Sequence, residues 1–135
     1  MTWKAWKERF PDGEVLSTET NTGRFRDYST DPYDWVESRD GSLFPVGDIR
    51  EDLAFKAWVY GVLVDDVALA LPRDRLPDGE PVDFEFNGKT IRFEFEESNN
   101  SVSVINLANG DPIPGLWSFW FSWQAFYRDT AVWEP

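Results

Sequence analysis

Asp27, Asp31 and Asp34 fall close together, and Asp83 and Glu85 share one face of an alternating segment. Carboxylates at such spacing can divide acid and base work in a hydrolase or give oxygen ligands to a hard cation. Lys56 stands within an apolar run, and a lysine stripped of water becomes a base or Schiff-base nucleophile. Arg26 lies in a polar stretch beside Asp27 and Tyr28. Trp117, Trp120, Trp123 and Trp133 offer flat faces on which a sugar, a quaternary ammonium or a partner's side chain can stack. The chain has no His and no Cys, which removes Ser-His-Asp and Cys-His nucleophiles, thiol redox chemistry, zinc fingers and His-ligated metals together.

Each group also has a plain structural reading. A general acid needs a pKa raised by burial or by a like charge, whereas Asp83 faces Arg92 across a hairpin and Asp31 stands where a helix cap belongs. The 27–34 spacing lacks the alternation and turn glycine of an EF-hand loop. Lys56 reads as a snorkelling or ion-paired side chain. No catalytic residue, metal site or cofactor is therefore assigned. The residues set aside for ligand or partner binding are Trp117, Trp120, Trp123, Arg26, Asp27, Asp31, Tyr33 and Lys56. The four tail indoles lie so close together in sequence that they are expected not all to face inwards. Asn99-Asn100-Ser101 is a glycosylation sequon if the protein is exported and a turn otherwise.

The elements that must position these residues fit one domain over residues 1–135, a length that buries about two-thirds of its unfolded surface. Trp3, Trp6 and Phe10 at helical spacing, Thr2 as a cap and Pro11-Asp12-Gly13 as a stop predict a first helix. Val15-Leu16-Ser17 reads as a short strand and residues 18–28 as a loop. Asp31-Pro32-Tyr33 opens a second short helix that Asp40-Gly41 ends. Residues 55–64 and 67–71 predict two central strands joined at Asp65-Asp66, followed by a Pro-rich connector with a helical turn at 73–76. Val82 to Glu96 alternates about Asn87-Gly88, which predicts a two-residue hairpin with Phe84 opposite Ile91 and Asp83 opposite Arg92. Residues 101–107 add a third strand. The aromatic stretch 116–127 fits both a strand and a helix period; its length and the flanking Pro112, Pro114 and Gly115 favour a short helix. The expected class is α+β, dominated by antiparallel strands, with short helices near the N- and C-termini.

Thirteen cationic against twenty-five anionic side chains give a net charge of −12, beyond the magnitude of about 2–8 usual for a small soluble domain. Such a surface repels a phosphate backbone and predicts no nucleic-acid partner. The acids are scattered, so they read as a solvated surface suited to a halophilic source, where about 1 M salt screens charge within about 3 Å. No apolar run approaches the roughly 20 residues of a membrane span. The expectation is a soluble chain without membrane insertion, cytoplasmic as given unless it belongs to a longer exported protein.

Several stretches in one order are similar to the bacterial and archaeal family grouped as domain of unknown function 3179. They are Thr2-Trp3 with Trp6 and Pro11, Val15-Leu16-Ser17, Thr22-Gly23, Arg26-Asp27-Tyr28, Asp31-Pro32-Tyr33 and Phe44-Pro45. Lys56 with Val59, Gly61 and Val62, Ala70-Leu71-Pro72, and Phe119 to Trp123 with Ala125-Phe126 continue the likeness. The resemblance implies relatives longer than this chain, with a Cys-Pro-x-Cys type segment in an N-terminal half absent here, and a frequent presence in haloarchaea. It also implies a His where this chain has Tyr127. It supplies no reaction. Together these readings predict a non-catalytic binding or assembly module that meets a protein partner, the missing half or a second copy, through aromatic surface. The alternative is a carboxylate-dependent hydrolase or small-ligand-binding enzyme using Asp27, Asp31 and Lys56.

Overall fold

A tight turn of two left-handed residues sets the first pairing. Asp65 and Asp66 have φ of 48° and 64°, a conformation that matches the twist of the strands it joins, β1 (Trp58–Val64) and β2 (Val67–Pro72). The computed structural model describes residues 1–19, 23, 27–31, 33–39, 41–42 and 45–135. Thr22, Arg26, Pro32, Asp40 and Phe44, on which parts of the sequence reading fall, lie outside the described residues.

β1 and β2 are central, as expected, in a sheet ordered β6-β1-β2-β7, with β6 (Gly115–Phe119) antiparallel to β1 and β7 (Ala131–Val132) parallel to β2. A second sheet is the meander β3 (Val82–Phe86), β4 (Lys89–Glu96) and β5 (Ser101–Asn106). Its hairpin turns at Asn87 and Gly88, φ 48° and 72°, and carries the expected register: Phe84 opposite Ile91, Asp83 opposite Arg92. On the wet face Arg92 donates to both oxygens of Asp83, at 2.6 and 2.7 Å.

Side-chain size decides the layering. Val62, Val64, Leu69 and Leu71 of the first sheet and Ile91, Phe93, Phe95 and Val104 of the second form one core, into which Trp133 packs edge-on to Phe93 at 5.0 Å. On the opposite face β1 and β2 present Val59, Gly61, Ala68 and Ala70. That shallow bed receives Trp120 and Trp123 from α3 (Trp120–Phe126). A methyl built on Gly61 would overlap the Trp123 ring, so glycine is required there by contact and not by backbone angle.

The aromatic tail thus obeys both of its periods in turn, strand to Phe119 and helix from Trp120. The expectation that its indoles cannot all face inwards is corrected: Trp120, Trp123 and Trp133 are buried, and half-buried Trp117 turns in against Tyr60 and Phe95. Each indole N–H of the first three in sequence finds an acceptor: Asn100 O for Trp117 at 3.2 Å, Arg50 O for Trp120 at 3.0 Å, Thr130 Oγ1 for Trp123 at 2.9 Å.

The N-terminal third departs further from expectation. α1 (Trp3–Arg9) is as read, with Thr2 Oγ1 accepting from the Ala5 N–H. Val15-Leu16-Ser17 forms no strand; no described strand runs beside it, and Leu16 is 96% exposed. α2 (Asp34–Glu37) starts later than expected, because the Asp31 carboxylate accepts from the Tyr33 N–H at 2.8 Å and closes its own turn ahead of the helix. Lys56 lies not inside a strand but in the turn before β1, which the Ala57 N–H closes on Ala54 O. A 3₁₀ turn at Arg73–Arg75 matches the helical turn expected in the connector. No described helix is long and apolar enough to cross a membrane.

Gly61→Ala is expected to lower stability by about 1–3 kcal/mol through overpacking against Trp123. Urea unfolding checks this, and an unchanged midpoint contradicts it.

Candidate functional site

Val59 pairs with Pro72, and this register sets the residues before β1 beside those after β2. Between them runs a groove of about 610 Å³ lined by Phe55, Lys56, Trp58, Arg73 and Asp74, with Gly41 from the N-terminal third on its rim. That volume is within the roughly 300–1,000 Å³ of small-molecule pockets. Behind it stands an aromatic ladder. Trp58 meets its cross-strand partner Phe119 at 4.3 Å, Phe119 stacks on Phe121 at 5.9 Å, and Phe121 stacks on Phe55 at 4.5 Å. The Arg73 guanidinium lies over Phe95 and 3.7 Å from Glu97.

Lys56 has a mechanical task here. Its Nζ donates to the carbonyls of Val36 and Arg39, at the end of α2, where a helix leaves carbonyls without intrahelical donors and favours positive charge. With both bonds made, the Lys56 side chain clamps the end of α2 to the turn before β1. The clamp holds α2 beside the groove, and α2 carries Tyr33 at its N-cap, 65% exposed, and Trp35, 48% exposed. Arg39 lies over the Trp35 ring at 5.3 Å.

The carboxylates are not assembled into a catalytic set. Asp27 accepts from the Ser29 hydroxyl, the Ser29 N–H and the Thr30 hydroxyl, and these bonds hold its pKa below the ordinary carboxylate range. Asp31 serves Tyr33, and the Arg92 guanidinium holds Asp83 low. A general acid needs a shift in the opposite direction. No hydrogen bond or ion pair among the described residues joins any two of Asp27, Asp31 and Lys56. No group of three Asp or Glu among the described residues could hold a metal ion. Arg26 lies outside the described residues.

Trp120 and Trp123, set aside from the sequence as binding residues, are core and offer no surface, and Trp117 offers little. Of the residues set aside, Lys56 lines the groove and Tyr33 stands at the N-cap of the helix that Lys56 fastens. The exposed aromatics that sequence reasoning missed include Trp3, Trp35, Trp58 and Phe126. A signal existed for Trp35: it stands in the polar N-terminal third with no apolar periodicity around it to provide burial.

Lys56→Met is expected to free the end of α2. Tryptic cleavage after Arg39 should quicken roughly tenfold as the charge-assisted bonds to these carbonyls are lost. The thermal midpoint should move by only a few degrees; cleavage at the original rate contradicts the clamp.

No curated protein and no solved structure matches the chain. The family described as "Protein of unknown function (DUF3179)" matches over residues 1–111, which span the N-terminal third, β1 to β5 and the groove. The Phe119 to Phe126 stretch lies beyond the match. With most of its length so matched, the chain belongs to the DUF3179 family of proteins of unknown function.

Proposed function

We propose that this domain is a non-catalytic binding and assembly module that docks on another domain or subunit through the aromatic surface around α2 and the groove. The observation that carries this reading is the pairing of opposites at α2: Tyr33 and Trp35 stand open to water on a segment that Lys56 fastens to the body. Exposed aromatics held in place, with Arg39 over the Trp35 ring, have the composition of binding hot spots, which favour Trp, Tyr and Arg. Burying a large side chain of this kind contributes about 1.5–3 kcal/mol. The partner of this surface is the Cys-bearing half that the family resemblance implies for longer relatives. A second reading, a small-ligand site, is favoured by the groove's volume alone. The charge of −12 supports a high-salt source.

Sedimentation velocity of the chain mixed with a Cys-bearing half from a longer relative, compared with each component alone, tests the docking of the two. Complex formation is expected. The double variant Tyr33→Ala, Trp35→Ala should weaken it by at least about tenfold without altering the unfolding midpoint. Absence of any complex, or a variant that binds as well as the parent, rejects the reading. Raising KCl from about 0.1 to about 2 M should raise the thermal midpoint by several degrees as self-repulsion is screened, and a fall would contradict the high-salt origin.

A further inference from the structure

An unpaired strand edge is a template for another strand, and proteins blunt such edges by shortness, charge, proline or cover. Among the described residues, three of the four sheet edges are treated that way at least in part. β7 is two residues long. β3 carries the charges of Asp83 and Glu85. β5 is covered over Val104 to Asn106 by the returning segment, where the Asn106 N–H donates to Asp111 O and the Ile113 N–H to Val104 O. The outer edge of β6 is the exception. Its five residues, Gly-Leu-Trp-Ser-Phe, hold no charge and no proline, and the chain is uncharged from Pro112 to Tyr127. No strand of the described residues pairs with it.

The ladder shows which groups this edge leaves open. The Trp120 N–H donates to Ala57 O, and in an antiparallel pair such bonds recur at every second residue. Leu116 and Ser118 therefore turn their backbone towards β1, and Gly115, Trp117 and Phe119 turn theirs outwards. The Gly115 N–H is directed at the Tyr60 hydroxyl, and Phe119 O accepts from Ser118 Oγ. What remains is the Gly115 carbonyl, both backbone groups of Trp117 and the Phe119 N–H.

That set is its own complement. When two such strands run antiparallel with Trp117 opposite Trp117, each Trp117 N–H meets the other's carbonyl and each Phe119 N–H meets the other's Gly115 carbonyl. Every open group is then used. We propose that β6 is a dimer seam, at which two copies of this chain pair antiparallel about a two-fold axis through Trp117 and merge their four-stranded sheets into one. Electrostatics favours the same contact: each copy carries −12, and a seam on an uncharged run brings the fewest like charges together. The α2 surface takes no part in it.

Sedimentation equilibrium and amide exchange of the full chain in about 1 M KCl test the seam. A dimer is expected that weakens as salt is lowered, with the Trp117 and Phe119 amides gaining protection as protein concentration rises. Leu116 is 57% exposed at the edge, and Leu116→Lys should weaken the dimer by at least about tenfold by adding the charge that edges normally carry. Leu63, 38% exposed on β1 and away from the edge, serves as control: Leu63→Lys should leave the dimer intact. The Tyr33→Ala, Trp35→Ala variant should also dimerise, which separates this seam from the α2 surface. A parent chain monomeric at every concentration, a Leu116→Lys chain that dimerises as the parent does, or a dimer without protection at Trp117 overturns the proposal.

Discussion

Two indoles lying on a bed of small residues set the arrangement of this domain. Trp120 and Trp123 are too large to seat on an ordinary strand pair, and β1 and β2 admit them by presenting Gly61, Ala68 and Ala70 on that face. The same strands turn Val62, Val64, Leu69 and Leu71 to the other sheet. One hairpin thus serves two cores, and its alternation of small and large is what makes a central strand of a three-layer domain.

The seating of α3 has consequences at a distance. Trp120 and Gln124 reach the segment before β1 through Arg50 O, the Arg50 N–H and Asp48 O. Arg50 in turn donates to the carbonyls of Arg128 and Thr130, and so ties the turn after α3 to the same segment. The groove is the outer end of this construction. Its position follows from where β1 begins and β2 ends, and the Lys56 clamp then fixes α2 beside it. The core consumes the tail indoles Trp120, Trp123 and Trp133, while Trp3, Tyr33 and Trp35 near the other end of the chain stand exposed.

What was legible in the sequence was local. Asn87-Gly88 admits positive φ at both turn positions, so the register of β3 and β4, down to Asp83 opposite Arg92, follows from a few neighbouring residues. Thr2 and Pro11-Asp12-Gly13 bracketed α1 for the same reason. The tail was not legible, because both periods fit it. The decision lies in Gly61, Ala68 and Ala70, some fifty residues away, whose smallness has meaning only once the helix is laid on them. Lys56 was misread because the apolar run after it hid the turn before Trp58. Asp83 meets Arg92 as expected, while Asp31 closes its own turn one step ahead of the helix it was expected to cap.

Tail indoles are core, and the accessible indoles lie elsewhere. Fluorine NMR of the full chain labelled with 5-fluorotryptophan, each resonance assigned by single Trp→Phe replacement, measures this at all eight tryptophans. The account predicts no solvent-isotope shift for Trp120 and Trp123 and large shifts for Trp3 and Trp35. Solvent-exposed behaviour at Trp120 or Trp123, with Trp35 shielded, would contradict it.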